Sequence, residues 1–127
     1  VICYVNNKVD LFFMHIQGSG YIKLNSNQAI YVGYHNQNGH PYRSIGRYML
    51  NKGYLQKDDI SLQTIKQWLR NNPKQIDEVL YHNPRYIFFK ESKLAATGST
   101  GVVLTPYHSI AVDGRYIPFG IPTFIST

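Results

Sequence analysis

The sequence has one cysteine, few charged residues and no long hydrophobic run. Because Cys3 is the only cysteine among 127 residues, neither an internal disulfide nor a cysteine-ligated metal cluster can form. The longest apolar cluster, at residues 11–14, is far shorter than the roughly 20 residues that a membrane-spanning helix requires. These absences exclude a disulfide scaffold and predict no membrane-spanning helix in this sequence.

The chain is rich in aromatic residues and carries a positive net charge. Hydrophobic residues make up 43% and charged residues 16%, with 11 Tyr and 6 Phe, which is too apolar for a disordered protein. Thirteen Lys and Arg against seven Asp and Glu give a net charge of +6. That charge favours a polyanionic partner such as nucleic acid, anionic lipid or anionic cell-wall polymer. The basic residues are scattered, so charge alone does not choose among these partners.

The residue pattern predicts an α+β fold, mainly β, in which short helices lie between two β segments. Residues 9–16 and 30–34 are rich in β-branched and aromatic side chains, and we expect both runs to be strands. The apolar and aromatic run at 86–89 predicts a buried strand after the helices. Shorter strands are expected at 109–113 and 122–125.

Three short helices are predicted in the middle of the chain. The first is expected from Pro41 to Lys52, ending at Gly53, because glycine readily takes the left-handed conformation of a helix stop. Ser61 can cap the start of the second helix. Pro73 fits the first turn of the third, because proline lacks the N–H that a helix start leaves unpaired.

The titratable residues give little sign of a metal or acid–base centre. The five histidines show no zinc-helix spacing and have no neighbouring cysteines, so no metal site and no cofactor is predicted. Asp113 follows a strand-like run and precedes Gly114, which is typical of a turn, and a strand-end carboxylate in a cleft is the alternative. A glycosidase with paired carboxylates needs a second acid, and no local pattern identifies one.

Asn38 opens a segment, Asn-Gly-His-Pro-Tyr-Arg-Ser-Ile-Gly, that combines a tight turn, a helix start and several polar side chains. One interpretation is a loop and helix cap alone. In the other, the rings of Tyr34 and Tyr42 present flat faces to a sugar. Asn38, Ser44 and Gln17 then hydrogen-bond to its hydroxyl or acetamido groups. Carbohydrate sites need this mixture of flat apolar faces and neutral polar groups.

Four ordered blocks carry a resemblance to a known family. They are Gln-Gly-Ser-Gly-Tyr-Ile at 17–22, Asn-Gly-His-Pro-Tyr-Arg-Ser-Ile-Gly-Arg at 38–47, Asn-Pro-Arg-Tyr-Ile-Phe-Phe at 83–89, and Ser-Ile-Ala-Val-Asp at 109–113 before Ile-Pro-Phe-Gly at 117–120. Any one block is a weak signal, whereas four in order over most of the chain are specific. Together they resemble the membrane-bound lytic murein transglycosylase A family.

The resemblance implies a fold and an activity. Members have a double-psi β-barrel and a smaller β-rich insert domain, which enclose a glycan groove. On that pattern, residues 1–94 belong to the glycan-binding insert domain and residues 98–127 to part of the barrel. The small, polar stretch 92–101, which reads as a linker on its own, falls at the junction. Members cleave the β-1,4 bond between N-acetylmuramic acid and N-acetylglucosamine without water, leaving a 1,6-anhydromuramic end.

The resemblance also implies a partner, a location and a set of binding residues. The partner is the glycan strand of peptidoglycan, and not nucleic acid. The parent protein is expected at the periplasmic face of the outer membrane of a Gram-negative bacterium, anchored by a lipid. The residues expected to bind substrate are Gln17, Gly18, Ser19, Gly20, Tyr34, Asn38, Gly39, Tyr42, Ser44 and Asp113.

The family's catalytic residue is not expected in this chain. Members use one Asp, first as acid and then as base, because the attacking 6-hydroxyl belongs to the substrate. That Asp lies in a barrel segment downstream of the block around Asp113, and this sequence stops at Thr127. We therefore expect part of a murein transglycosylase that supplies glycan-binding surface and is inactive alone. The sequence departs from the family pattern at His35, Asn36 and Ile121.

Two other functions are compatible with the sequence. One is a non-catalytic module that binds peptidoglycan or another glycan. The other is a nucleic-acid-binding β domain, suggested by the charge of +6 and the many tyrosines. Its affinity would fall steeply with salt, because binding would release counterions from phosphates.

We predict weak amide-exchange protection in the residues after Ser99. If these residues belong to a barrel whose other strands lie elsewhere in the parent protein, their backbone N–H groups lack partners in the isolated chain. Hydrogen–deuterium exchange read by mass spectrometry checks this. Protection equal to that of the predicted helices would contradict the assignment.

Overall fold

The described part of the chain folds into four α-helices and a three-stranded antiparallel sheet. The structure is a computed structural model that describes residues 1–26, 28–92, 97–98 and 100–126. In chain order its elements are α1 (Lys8–Gln17), β1 (Ser19–Lys23), β2 (Ala29–Gln37), α2 (Ile45–Asn51), α3 (Leu62–Asn71), α4 (Ile76–Tyr81) and β3 (Ile87–Ser92). Short 3-10 helices at Lys57–Asp59 and Pro73–Gln75 precede α3 and α4. The predicted mixed helix-and-sheet class is confirmed, with one helix more than expected.

The additional helix is α1, so the strand predicted at 9–16 is wrong. The Asn7 side chain caps the start of α1 by accepting hydrogen bonds from the backbone N–H groups of Val9 and Asp10, each at 3.0 Å. Gly18 ends the helix in a left-handed conformation, with φ at +75°. A short, mostly apolar run such as 9–16 fits a helix as well as a strand, and here the two caps decide between them.

The sheet has the strand order β1–β2–β3, and both neighbouring pairs are antiparallel. The predicted strands at 30–34 and 86–89 are confirmed by β2 and β3, but the expected burial of 86–89 is wrong, since only Ile87 in that segment is buried. Helix α1 packs closely on β1 at Gly20, where an added Cβ would lie 2.5 Å from the Sδ atom of Met14. A larger residue at this position would therefore displace the Met14 side chain.

Capping residues set where the helices after the sheet hairpin begin. Ser44 accepts a hydrogen bond from the backbone N–H of Arg47 at 3.2 Å, so α2 begins after Ser44 and not at Pro41 as predicted. The predicted cap at Ser61 is confirmed, in a capping box at the start of α3. The third predicted helix is confirmed as the 3-10 turn that begins at Pro73 and continues into α4.

The apolar faces of the four helices meet in one core. Met49, Leu69 and Val79 come from α2, α3 and α4 and are the largest fully buried side chains among the described residues. The other buried members of this core are Val9, Phe13, Ile45, Ile65 and Leu80. Each helix contributes side chains to the same core, so the four helices are held together. Helix α1 in turn packs against β1 and thereby positions the sheet.

Beyond β3, the described residues contain turns and an isolated β-bridge between Thr97 and Val103. The strands predicted at 109–113 and 122–125 are therefore wrong in this structure. A strand requires a neighbour for its backbone hydrogen bonds, and these two segments have none within the described ranges.

The predicted linker at 92–101 falls partly outside the described residues, since 93–96 and 99 are not among them. The boundary between the predicted domains, 1–94 and 98–127, therefore stays a prediction.

His15 connects α1 to β3. Its Nδ1 atom accepts a hydrogen bond from the backbone N–H of Ile87 at 3.0 Å. Its ring lies against Tyr86 and Phe89, with centroid distances of 4.4 and 5.1 Å. Burial among these groups lowers the pKa of His15 from its ordinary value of 6.5, so the ring is neutral at neutral pH.

We predict that the chain loses stability when His15 is protonated. Because the pKa of His15 is lower in the folded state, the unfolded state binds the proton more tightly, and stability falls as the pH decreases from above 6.5. Replacing His15 with Asn keeps an acceptor near Nδ1 and removes the titration. His15→Asn should therefore flatten the pH dependence of urea unfolding between about pH 7.5 and about pH 5.

The matched control is His40→Asn, because His40 is an exposed histidine in the loop after β2. That variant should keep the slope of the unmodified chain. An unchanged slope in His15→Asn would show that other groups govern stability in this pH range.

Candidate functional site

A groove of about 300 Å³ lies between the end of α1, strand β2 and the loop that precedes β3. We call it the α1–β3 groove. It contains three of the predicted substrate-binding residues, Gly18, Tyr34 and Tyr42, which are separated in sequence. The other residues that line it are His15, Ile16, Asn83, Arg85 and Ile87.

Two tyrosine rings give the groove its aromatic character. Tyr34 comes from β2, directly before the bulge where the register against β3 shifts. Tyr42 comes from the loop that leads to α2. Their side chains are 48% and 47% exposed, so both rings are accessible to a ligand. Exposed rings beside polar groups fit a molecule that has apolar faces and hydroxyl groups.

Two asparagine side chains fix the loop that precedes β3. Asn38 donates through Nδ2 to the carbonyl oxygen of Pro84 and accepts through Oδ1 from the N–H of Tyr86, both at 2.9 Å. Asn83, which is only 9% exposed, accepts through Oδ1 from the N–H groups of Arg43 at 3.1 Å and Arg85 at 3.3 Å. The predicted sugar-binding side chain of Asn38 thus makes its contacts within the protein.

Arg85 is the one arginine or lysine among the residues that line the groove. Its Nε atom is buried and has no hydrogen-bond partner, and its guanidinium forms no ion pair with any described residue. Sequence reasoning placed Arg85 in a block of family resemblance and gave it no role. The signal was its position in Asn-Pro-Arg-Tyr, where a rigid proline turn precedes a strand. His15 was also missed, because α1 was expected to be a strand.

The other predicted binding residues lie outside the groove. Gln17 and Gly20 border a separate hollow of about 610 Å³ beside α1 and β1. Ser19 pairs with Gly33 in the sheet. Ser44 caps α2, and Gly39 occupies a turn with φ at +80°. These assignments to substrate binding stay predictions.

Asp113 lies in an exposed turn and does not line the groove. Its Oδ1 atom accepts hydrogen bonds from the backbone N–H and the Nε of Arg115, both at 3.0 Å. The Arg115 guanidinium holds the pKa of the Asp113 carboxyl below its usual value. This carboxyl is therefore ionised at neutral pH, and its role in substrate binding stays a prediction.

Acidic groups are absent from the lining of the groove among the described residues. All seven Asp and Glu residues lie in the described ranges, and none of them lines it. Across the described residues, no three His, Cys, Asp or Glu side chains come together as metal ligands. What the groove offers is aromatic faces, amides and one cation.

No helix in the described residues is long and apolar enough to cross a membrane.

Two curated proteins are similar to this chain in sequence. The membrane-bound lytic murein transglycosylase A of Vibrio cholerae is 36% identical over 122 residues, which cover 94% of this chain and 33% of that protein. The protein of the same name from Escherichia coli is 36% identical over 123 residues, covering 94% of this chain and 34% of that protein. The chain thus spans about a third of the length of these curated relatives.

Solved structures share the fold as well. MltA from Neisseria gonorrhoeae has 48% identity and a TM-score of 0.74, over 90% of this chain and 28% of that one. Escherichia coli MltA with bound chitohexaose has 36% identity and a TM-score of 0.80, over 89% of this chain and 35% of that one.

Residues 1–90 match the family model described as the MltA specific insert domain. This match covers most of the residues from α1 to β3, including every residue that lines the α1–β3 groove. The chain therefore belongs to the membrane-bound lytic murein transglycosylase A (MltA) family.

Proposed function

We propose that this chain supplies glycan-binding surface to a peptidoglycan lytic transglycosylase. The observation that carries the proposal is the α1–β3 groove, in which Tyr34 and Tyr42 stand beside the polar groups of Asn83 and Arg85. A pyranose ring has apolar C–H faces and a polar rim, so rings and hydrogen-bonding groups must converge to bind it. The name of the curated relatives, lytic murein transglycosylase, supports the same substrate class.

A structural relative supports a glycan as the ligand. The Escherichia coli MltA structure with bound chitohexaose aligns with 89% of this chain. Chitohexaose is a β-1,4 chain of N-acetylglucosamine, and a murein strand has the same linkage with N-acetylmuramic acid at every second position. A groove that binds one can therefore bind the other through shared acetamido and hydroxyl groups.

The reaction proposed for the parent protein uses one carboxyl group and no added water. The acid protonates the glycosidic oxygen between N-acetylmuramic acid and N-acetylglucosamine as the bond to C1 breaks. The resulting carboxylate then removes the proton from the muramyl 6-hydroxyl while that oxygen bonds to C1. The products are a 1,6-anhydromuramic end and a free N-acetylglucosamine end, and the acid is regenerated.

The acid in this scheme is proposed to come from a part of the parent protein outside this chain. A general acid at neutral pH needs a raised pKa, which requires a shielded site without a neighbouring cation. Arg115 lowers the pKa of Asp113, so Asp113 does not meet this requirement. None of the other acidic residues, all of them within the described ranges, lines the α1–β3 groove.

We further propose the wider architecture and location that the family resemblance implies. Residues 1–94 form the insert domain, and residues 98–127 contribute to a double-psi β-barrel. A lipid holds the parent protein at the periplasmic face of the outer membrane of a Gram-negative bacterium. The words "membrane-bound" in the relatives' names support attachment to a membrane.

A non-catalytic glycan-binding module is the second candidate function. None of the seven Asp and Glu residues, all of which are described, lines the groove. For the isolated chain, this favours binding of a glycan without cleavage. The two functions share the same groove and differ in whether the parent protein cleaves the strand.

We predict that the groove tyrosines are needed for binding to murein. At about 0.5 M salt, long-range charge attraction is largely screened, so retention on sacculi reports short-range contacts. Tyr34→Ala or Tyr42→Ala should weaken retention roughly 5- to 10-fold, because each removes one ring face worth about 1 kcal/mol. Co-sedimentation with purified sacculi measures this, and soluble glycan strands should release the bound chain.

Tyr81→Ala is the matched control, because Tyr81 is 72% exposed on α4 and does not line the groove. It should bind as the unmodified chain does. Equal losses in all three variants, or no loss in either groove variant, would contradict a sugar-binding role for the groove.

We predict that the chain alone forms no anhydromuropeptides, whereas a longer family protein containing it does. The reason is that the described acidic groups lie outside the groove. Liquid chromatography with mass spectrometry of digested sacculi measures the 1,6-anhydro products. Product formed by the chain alone, and lost in Asp113→Asn, would show that Asp113 is the acid after all.

A further inference from the structure

The Arg85 guanidinium is a partly buried cation that has no hydrogen-bond or ion-pair partner among the described residues. Its Nε atom is buried and forms no hydrogen bond. No carboxylate of the described residues forms an ion pair with its guanidinium. Desolvating a charged donor without a partner costs free energy, so such groups in folded proteins are usually paired. A cation left unpaired at the wall of an open groove is a candidate for pairing with a ligand.

The groove supplies no other charge that could balance Arg85. Its remaining lining residues are apolar, aromatic or amide-bearing, with His15 as the one further titratable base. The Nδ1 atom of His15 is already occupied by the Ile87 N–H at 3.0 Å, and burial keeps this ring neutral. The groove therefore carries one positive charge, and its complement is a ligand with one negative charge.

Arg85 is also held in position before any ligand arrives. Asn83 fixes its backbone N–H at 3.3 Å. Asn38 fixes the residues on either side, through the Pro84 carbonyl oxygen and the Tyr86 N–H, both at 2.9 Å. A planar guanidinium on a fixed backbone can bind a carboxylate through two parallel hydrogen bonds, which lysine cannot do.

We propose that Arg85 binds the carboxylate of the lactyl group of N-acetylmuramic acid. This inference rests on the proposed function and specifies which of the two sugars of the strand occupies the α1–β3 groove. The two sugars differ by the lactyl ether at O3, and its carboxylate is free only where the peptide stem has been removed. The groove thus prefers peptide-free murein over both chitin oligomers and peptide-substituted strands.

The test compares two hexasaccharides of the same linkage, chitohexaose and a peptide-free murein hexasaccharide, by isothermal titration calorimetry. The unmodified chain should bind the murein hexasaccharide about tenfold more tightly, as expected for a charge-assisted hydrogen-bonded pair. Arg85→Gln should abolish this preference, so that the variant binds the two hexasaccharides with equal affinity. Arg85→Lys should retain part of the preference, because it keeps the charge and loses the two-point geometry.

The matched control is Arg70→Gln, which removes one positive charge from the exposed end of α3 outside the groove. It should keep the full preference. If Arg70→Gln lowers the preference as much as Arg85→Gln does, net charge explains the effect and the proposal is wrong.

A change on the ligand tests the proposal without relying on a variant that folds. A murein hexasaccharide whose lactyl carboxylates are converted to methylamides should bind the unmodified chain as weakly as chitohexaose does. If the methylamide binds as tightly as the hexasaccharide with free carboxylates, Arg85 does not bind the lactyl carboxylate. Binding of both hexasaccharides with equal affinity would overturn the Arg85 inference and leave the proposed glycan function standing, whereas binding of neither would overturn both.

Discussion

The groove depends on two side-chain amides that hold the loop before β3. Asn38 binds the backbone on both sides of Arg85, and Asn83 binds the backbone of Arg85 itself. The hydrogen bonds of Asn38 join the end of β2 to the start of β3, beyond the register shift between Tyr34 and Asn36. Asn83 is buried, and leaving its amide unpaired would cost about 1–3 kcal/mol. The two amides therefore stabilise the loop and fix the backbone of Arg85. The same hydrogen bonds therefore hold together the sheet, the loop before β3 and the α1–β3 groove.

The parts of the fold that the sequence predicted are those governed by local chemistry. Ser61 and Pro73 mark helix starts because a hydroxyl acceptor and a missing N–H suit only that position. Of the two failures among the predicted strands, one has a local signal that was missed and the other depends on tertiary context. The apolar run at 9–16 suits strand and helix equally, and the Asn7 cap that decides between them was not recognised. The strands expected at 109–113 required partners that no local pattern can supply.

The candidate site was only partly predictable, for a related reason. Tyr34 and Tyr42 were selected for their chemistry, and the fold brings them to one groove. Asn38 was selected on the same basis, but a polar side chain next to a turn is as suitable for holding a loop as for binding a sugar, and here it holds the loop. Arg85 gave no signal of its own, because a basic residue shows its function only when its partners, or their absence, are seen in three dimensions.

The proposed separation of the ligand-binding cation Arg85 from a catalytic acid agrees with electrostatics. The pair formed by Asp113 and Arg115 shows the effect of proximity within this chain, since the guanidinium lowers the pKa of the carboxyl. A general acid placed beside Arg85 would be ionised in the same way and could not protonate a glycosidic oxygen at neutral pH. A groove that recognises an anionic sugar with arginine must therefore hold the strand at one place while the acid acts on it at another. An extended glycan would meet this condition, because one of its sugars can occupy the α1–β3 groove while a neighbouring bond lies against the proposed acid outside the groove.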